Sequence, residues 1–460
     1  MEQLDQLRGI LGIVVILGLC WLLSTNRKRV NWALIAWGLV LQVVFAFLVL
    51  KTSPGRAFFE WVNGIFVAMI NYVLAGASFV FGNLVWNNVP VGPGTPNVGG
   101  PPPVYDGSVA AVGSLFAFQV LPTIIFFSSL MAIMYHLRVM EHVVRGIAWV
   151  MVRTMGTSGS ESLSAAANIF VGQTEAPLVV RPFLPTMTRS EIMAIMTGGM
   201  ATVAGGVMLA YIGFLQEAVE GIGGHLLAAS IMSAPAGLVC AKLMVPETEE
   251  SKTMGTLKVD IPRDDVNVID AAARGAAEGL KLALNVGAML IAFLALLALA
   301  DALLGWVGMT VFGIGDGAGE SPLSLSLIFG FVFWPLAWVM GIATPDCMTA
   351  GNLIGVKTFA NEFVAYAQLA SPDVYGPMDE RSRIILTYAL CGFANFGSIG
   401  ILIGGMSPLA PERRHDMARV GLRALIAGSF AAFMTACIAG MLVTEGTLLT
   451  DAASAVAAGP

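Results

Sequence analysis

Two carboxylates stand in otherwise apolar surroundings. Glu175 belongs to the segment GQTEAP at Gly172 to Pro177, and Glu362 belongs to NEFVAY at Asn361 to Tyr366. A charged side chain at the centre of a hydrocarbon layer costs about 2.5–3.5 kcal/mol, so an acid there lines a wet cavity with a partner or a ligand. A solvated loop acid is the alternative for Glu175, but apolar flanks and the helix-breaking Pro177 favour a buried site.

Each acid is followed, at comparable spacing, by an apolar segment that glycines interrupt. The first is Gly198–Val207 around Thr202, and the second is Gly392–Gly400 around Asn395. Small residues alone predict close helix packing. Next to a segment that carries an acid, they also fit an unwound helix whose free carbonyls coordinate a cation. The same order occurring twice is typical of inverted repeats that meet at a midplane binding site.

The side chains of these segments define the kind of solute that they suit. Besides the two acids they offer carboxamides at Gln173 and Asn395, hydroxyls at Thr174 and Ser398, and the ring of Phe393. Carboxylates accept paired hydrogen bonds from vicinal hydroxyls, carboxamides match a base edge, and an aromatic face stacks on a base. The set suits a neutral, polyhydroxylated, partly aromatic solute. No basic residue lies in these motifs, which disfavours phosphorylated compounds.

The elements that position these residues must lie in a membrane. Of 460 residues, 57% are hydrophobic and 12% are charged, and mean hydropathy is +0.79. No basic block accompanies the net charge of −6, so nucleic acid is not an expected partner. We predict an all-α polytopic membrane protein, with spans of about 20 residues each. The expected spans are 8–24, 32–50, 109–135, 190–214, 224–245, 273–303, 384–405 and 417–444.

The two acidic segments are too short for complete spans with a loop. Limbs of about 12 residues reach only the bilayer centre, so 160–185 and 344–370 are predicted re-entrant hairpins. Three further segments, 58–85, 138–155 and 323–342, carry polar residues or proline and are predicted to be interfacial helices.

Basic residues in short loops orient the chain, with both termini in the periplasm and the Pro/Gly-rich loop 86–107 outside. The resulting organisation is a sequence of five regions. They are scaffold spans with an external loop (1–135), a first transport repeat (136–246), a cytoplasmic loop with a long scaffold span (247–320), a second transport repeat (321–446) and a tail (447–460).

In these motifs the sequence resembles the concentrative nucleoside transporter family, of the bacterial sodium-coupled type. GQTEAP, ATVAGGV, NEFVAY and ALCGFANFGSIG occur in the family's order and spacing, and the likeness covers roughly residues 1–445. The resemblance implies a homotrimer in the bacterial inner membrane that imports nucleosides with sodium by an elevator-like movement. It assigns nucleobase contacts to Gln173, Thr174, Glu175 and Val207. Ribose and base-stacking contacts are Glu362, Phe393, Asn395 and Ser398, and sodium ligands are Asn168, Val171, Thr202 and Val203.

Three alternatives stay open from the sequence. A proton carried by Glu175 or Glu362 would replace sodium as the coupling ion. An intramembrane serine hydrolase is conceivable because Gly156–Gly159 resembles a GxSG motif, although the four histidines lie in loops or near span ends. A passive channel would need a continuous pore, which paired hairpins do not describe. Purine and pyrimidine bases fit the carboxamides equally well.

Overall fold

The computed structural model describes residues 2–86, 88–90, 109–111, 115–255, 265–313 and 323–443. These residues are almost entirely helical, apart from an antiparallel ribbon of β1 (Asn88–Pro90) and β2 (Val109–Ala111). Most of the predicted external loop 86–107 and the whole tail 447–460 lie outside the described residues.

The helices of the described residues are as follows. The first ten are α1 (Glu2–Leu22), α2 (Trp32–Lys51), α3 (Ser53–Phe81), α4 (Phe116–Gln119), α5 (Leu121–His136), α6 (Val139–Met155), α7 (Gly159–Ala167), α8 (Ala176–Val179), α9 (Arg189–Ala201) and α10 (Gly205–Leu215). The others are α11 (Ile222–Met244), α12 (Val268–Thr310), α13 (Leu325–Val339), α14 (Cys347–Phe359), α15 (Glu362–Leu369), α16 (Pro372–Tyr375), α17 (Glu380–Leu390), α18 (Phe396–Met406) and α19 (Arg414–Leu442).

Among the described residues, seven helical stretches are long and apolar enough to cross a membrane. They are Trp32–Lys51, Ser53–Val85, Phe116–His136, Arg189–Gly213, Ile222–Met244, Val268–Thr310 and Pro411–Leu442. Six of them coincide with predicted spans, although the third begins later than expected because 109–111 form β2. The predicted spans 8–24 and 384–405 contain shorter apolar helices, at Leu7–Leu22 and Phe396–Met406. The count of eight is therefore not reproduced.

The segment 58–85 lies within α3, which has the length and composition of a span, and its interfacial position stays a prediction. One of its polar residues, Asn63, accepts a hydrogen bond through Oδ1 from the backbone N–H of Gly223 on α11, at 3.1 Å. A polar side chain that is satisfied by a neighbouring helix is compatible with an apolar environment. The segment 138–155 forms α6, which buries one face that includes Val144, Ala148 and Met151.

Both predicted hairpins consist of two short helices joined by a tip. In the first, α7 begins with a capping box, in which Ser158 and Glu161 satisfy each other's backbone N–H groups, and α8 begins just after Glu175. In the second, α14 and α15 are separated only by Ala360 and Asn361. The Asn361 side chain caps α15 by accepting from the backbone N–H of Val364 at 2.8 Å.

Both glycine-rich segments are broken helices, as the sequence indicated. The first break separates α9 from α10 at 202–204, and the second separates α17 from α18 at 391–395. The two breaks contact each other, since the backbone N–H of Phe393 donates to the carbonyl of Thr202 at 3.3 Å. Gly392 has a φ of +120° and lies against the carbonyls of Met200 and Ala201, where a Cβ atom would collide.

The helices fall into an inner and an outer group. The most apolar part of the Arg189–Gly213 stretch is completely buried, whereas only 11% of the most apolar part of α12 is buried. The long helix α12 packs on α5 through glycines: a Cβ atom at Gly275 would lie 2.6 Å from the carbonyl oxygen of Ser128. The hairpins and broken helices therefore surround a buried centre, and α12 passes along one side of it.

Candidate functional site

One cavity of about 310 Å³ lies where the two hairpins and the two broken helices meet. Its walls contain all eight residues that the sequence assigned to a solute, which are Gln173, Thr174, Glu175, Val207, Glu362, Phe393, Asn395 and Ser398. Residues far apart in the chain are thus brought together as the repeat pattern predicted.

The second hairpin presents its carboxylate in a fixed orientation. Glu362 is 4% exposed, and its two oxygens accept from the hydroxyl of Tyr211 at 2.9 Å and from Nδ2 of Asn395 at 3.2 Å. Asn395 is held in turn, because its Oδ1 caps α18 by accepting from the backbone N–H of Ser398 at 2.9 Å. A carboxylate held in this way retains lone pairs for hydroxyl donors of a ligand.

The first hairpin contributes the opposite wall with looser contacts. Nε2 of Gln173 donates to the hydroxyl of Ser398 at 3.3 Å, while Oε1 of Gln173 is buried and has no partner among the described residues. Glu175 is exposed to the cavity and accepts from the backbone N–H of Gly172 at 3.1 Å. Thr174 packs on α18, since a Cβ atom at Gly405 would lie 2.8 Å from its methyl group.

Two of the four predicted sodium ligands, Thr202 and Val203, lie in the first break, and the other two, Asn168 and Val171, lie in the tip of the first hairpin beside it. Asn168 is fully buried, and its Oδ1 has no hydrogen-bond partner among the described residues. Neither the carbonyl of Val171 nor that of Val203 accepts a hydrogen bond in the described part of the chain. The hydroxyl of Thr202 donates to the carbonyl of Gly198 at 2.9 Å, which leaves its oxygen lone pairs free. The four residues therefore offer unused oxygen atoms, the donor type that a hard cation prefers.

Two hydrogen bonds and one close packing contact fix the tip of the first hairpin near this break. The carbonyl of Phe170 accepts from the backbone N–H of Gly205 at 2.9 Å, and the carbonyl of Ile169 accepts from the hydroxyl of Ser230 at 3.1 Å. On α9, a Cβ atom at Gly198 would lie 3.4 Å from Nδ2 of Asn168. The glycine there lets the hairpin approach the last turn of α9 closely.

Sequence reasoning missed a third wall of the cavity. The long helix α12 lines it with a polar stripe at Glu278, Lys281 and Asn285, together with Met289. Glu278 and Lys281 are three residues apart, a spacing that puts both on one face of a helix. The cavity consequently contains a basic residue, Lys281, although the two sequence motifs contain none. The spacing was the available signal, and only the packing of α12 shows which way the face points.

The GxSG-like segment has a structural role. Ser158 caps α7, and its hydroxyl lies 3.3 Å from the hydroxyl of Ser160. No histidine bonds to Ser158 in the described part of the chain, and His225 lies instead 3.2 Å from the hydroxyl of Tyr388. A serine nucleophile needs an adjacent base, so these contacts offer nothing to the hydrolase hypothesis.

Comparisons with known proteins agree over most of the chain. Residues 11–84 and 225–440 match the models described as Na+ dependent nucleoside transporter N-terminus and C-terminus, and residues 117–218 match one described as nucleoside recognition.

Two curated relatives illustrate the similarity. Over 98% of its length the chain is 42% identical to sodium/nucleoside cotransporter 1 of Rattus norvegicus, and it spans 66% of that protein. It is 43% identical to the uncharacterized transporter YutK of Bacillus subtilis (strain 168), over 96% of this chain and 100% of the relative.

Solved structures give the same result for the fold. The chain superimposes on CNTnw in an inward-facing substrate-bound state with a TM-score of 0.84 and 40% identity, covering 97% of this chain and 100% of the other. A variant of CNTnw in an outward-facing state gives a TM-score of 0.82 and 41% identity, covering 95% and 97%.

Proposed function

Because this chain belongs to the Na+ dependent nucleoside transporter family, we propose that it is a secondary symporter that imports nucleosides together with sodium. The observation that carries the proposal is the single cavity lined by Glu175, Glu362 and the other solute-binding residues predicted from the sequence. A volume of about 310 Å³ is at the lower end of the range for small-molecule sites.

The two sides of the cavity contact different parts of a nucleoside, the ribose on the side of the second hairpin and the edge of the base on the side of the first. The carboxylate of Glu362 accepts from the vicinal ribose hydroxyls, and Asn395 and Ser398 add further polar contacts beside it. The ring of Phe393 stacks on the base, whose edge is met by Gln173, Thr174 and Glu175 on the first hairpin and whose face contacts Val207. The orphaned Oε1 of Gln173 fits this assignment, because a buried acceptor without a partner is stabilised by a ligand donor.

Sodium binds at the first break, between the tip of the first hairpin and the end of α9. Its ligands are Oδ1 of Asn168 and the carbonyls of Val171 and Val203, which accept no hydrogen bond among the described residues, together with the hydroxyl oxygen of Thr202, which donates to Gly198 and keeps its lone pairs. Oxygen atoms of unwound backbone are known coordinating groups for Na+ at broken helices. The same tip carries Gln173 and Glu175, so ordering by sodium raises the affinity for the nucleoside, and linkage makes the effect reciprocal.

Transport follows from movement of the buried centre against the outer helices. The first and second transport repeats (136–246 and 321–446) move together past α12, carrying the cavity from one side of the membrane to the other. The assembly is a homotrimer in the bacterial inner membrane with both termini in the periplasm. The exposed apolar surface of α12, including Leu284, Ile291 and Leu303, supports contact with lipid or with other protomers.

Uptake by proteoliposomes tests the proposal. Radiolabelled uridine and adenosine are supplied to vesicles with an inward sodium gradient or with choline in place of sodium, at fixed pH. We expect concentrative uptake of at least one nucleoside only with the sodium gradient. Undiminished uptake in choline that follows a proton gradient would replace sodium by a proton, and no uptake of either compound would contradict the substrate class. Glu217→Gln, an exposed acid outside the cavity, serves as the matched control.

A further inference from the structure

A buried lysine lies at the second helix break, where neither the sequence motifs nor the proposed transport steps use it. Lys357 is on α14, the first helix of the second hairpin, and it is 0% exposed. Its Nζ donates to the carbonyl of Ala389 at 2.8 Å and to the carbonyl of Cys391 at 3.4 Å. The ring of Phe433 lies 5.7 Å away. No carboxylate forms an ion pair with Lys357 in the described part of the chain.

These carbonyls need a partner because α17 stops at Leu390. The last carbonyls of a helix have no intrahelical N–H group, and a buried carbonyl without a donor is unfavourable. In the second repeat, the hairpin supplies the donors. The ammonium group of Lys357 comes from the first limb, and the hydroxyl of Tyr366 on the second limb donates to the carbonyl of Thr387 at 2.7 Å.

The first break has the reverse arrangement. The hairpin brings the carboxamide of Asn168 to the end of α9, and its Oδ1 is an acceptor without a partner. The one side-chain donor recorded for the end of α9 in the described structure is the hydroxyl of Thr202, to Gly198. Oxygen atoms at the first break that lack a hydrogen-bond donor can stabilise a mobile cation. At the corresponding place in the second repeat, the ammonium group of Lys357 is already present as a fixed positive charge.

We propose that the ammonium group of Lys357 is a tethered cation that occupies, in the second repeat, the place that sodium occupies in the first. It links the second hairpin to the end of α17 in every state of the cycle, whereas the corresponding link between the oxygens of the first hairpin and the end of α9 forms only while sodium is bound. Lys357 is thus a positioning residue, which acts on the solute through the neighbouring Glu362 and the unwound segment 391–395. The inference rests on the sodium site proposed above.

The matched experiment compares two buried lysines. Lys357→Met removes the charge that faces carbonyls, while Lys242→Met removes a buried charge that is paired with Glu161 at 2.6 Å and with Glu247 at 3.2 Å, away from both breaks. Uridine binding to the purified proteins is measured against sodium concentration. Methylammonium chloride is then added at fixed sodium, with choline chloride as the control for ionic strength. Monodispersity on size exclusion shows whether each variant is folded.

We expect the affinity of Lys357→Met for uridine to fall about tenfold, the size that loss of a charged hydrogen bond produces. Its sodium dependence becomes steeper than that of the wild type, because a second ion enters the vacated place, and methylammonium restores at least half of the lost affinity. Lys242→Met keeps the wild-type sodium dependence and gains nothing from methylammonium.

Several results would overturn the proposal. One is a folded Lys357→Met protein with wild-type uridine affinity and sodium dependence. Another is a Lys357→Met protein whose reduced uridine affinity is restored by neither methylammonium nor sodium beyond the level seen with choline. If the methionine variant does not fold, Lys357→Gln, which keeps a donor without the charge, is tested against the same criteria. If uridine binding by the wild type does not depend on sodium concentration, the proposed sodium site is contradicted. That result differs from those that contradict the role of Lys357, so the two failures are distinguishable.

Discussion

In the second hairpin, Glu362 accepts hydrogen bonds from two side chains, Tyr211 and Asn395, that belong to the broken helices of both repeats. In the first hairpin, the recorded partner of Glu175 is the backbone N–H of Gly172, three residues before it in the same tip. The two hairpins therefore carry the same kind of acid, but among the described residues only the second acid accepts hydrogen bonds from side chains of other helices.

The same contrast extends to the other polar atoms. The acceptors Oδ1 of Asn168 and Oε1 of Gln173 in the first hairpin have no partner among the described residues, whereas in the second hairpin Asn361 caps α15 and Lys357 bonds to two carbonyls. A preorganised site binds with little ordering cost. The second hairpin is suited to constant recognition of the ribose, and the first is suited to a response that depends on the ion.

The largest expected effect follows from neutralising the oriented acid. Glu362→Gln replaces a carboxylate that serves two donors and the ribose hydroxyls, and each hydrogen bond to a charged group is worth about 1.5–3 kcal/mol. We expect uridine affinity at saturating sodium to fall about a hundredfold, measured by equilibrium binding. The control Glu217→Gln should bind as the wild type does. An affinity within threefold of wild type would show that the orientation of Glu362 has no bearing on the solute.

Asn168→Ala tests whether the first hairpin responds to the ion. It removes one oxygen ligand from the first break and leaves the backbone carbonyls in place, so the sodium concentration for half-maximal uridine binding should rise about tenfold. At saturating sodium the affinity for uridine should return to within about twofold of wild type. The control is Asn71→Ala, an exposed amide on α3. A loss of affinity that saturating sodium does not repair would place Asn168 among the structural residues instead.

The sequence predicted the features that depend on local pattern. Prolines and glycines inside apolar segments marked the two hairpins and the two breaks, and acids in the same segments marked the cavity. These residues have few structural uses within a membrane, so their presence is informative.

Features that depend on packing between distant segments were not predictable. The hydrogen bond between Asn63 on α3 and the backbone of Gly223 joins residues that are 160 positions apart, so the sequence did not predict this contact. Tyr211 and Lys357 were missed for the same reason, since one polar residue in an apolar helix has no recognisable pattern. The stripe at Glu278, Lys281 and Asn285 was visible, but helical spacing does not say which neighbour a face meets.

Tyr211→Phe should have a smaller effect than neutralising Glu362. It removes one donor to the carboxylate without changing the charge or the packing of the ring, so we expect about fivefold weaker uridine binding. Combining it with Glu362→Gln should add almost nothing, because the tyrosine acts through that acid. Tyr388→Phe, a buried tyrosine whose hydroxyl lies 3.2 Å from His225, is the control. Additive losses in the double variant would mean that Tyr211 contacts the solute independently of Glu362.

The smallest effect is expected from a change that preserves the chemistry of the first break. Thr202→Ser keeps the hydroxyl that bonds to the carbonyl of Gly198, so the sodium concentration for half-maximal uridine binding should stay within about twofold of wild type. Thr202→Val keeps the shape but removes the oxygen, and about a fivefold rise is expected. Valine does not conserve polarity, so size-exclusion profiles of both variants are compared first. Equal sodium dependence in the serine and valine variants would mean that the backbone carbonyls and Asn168 bind the ion without Thr202, and the contrast between the hairpins would then depend on Asn168 alone.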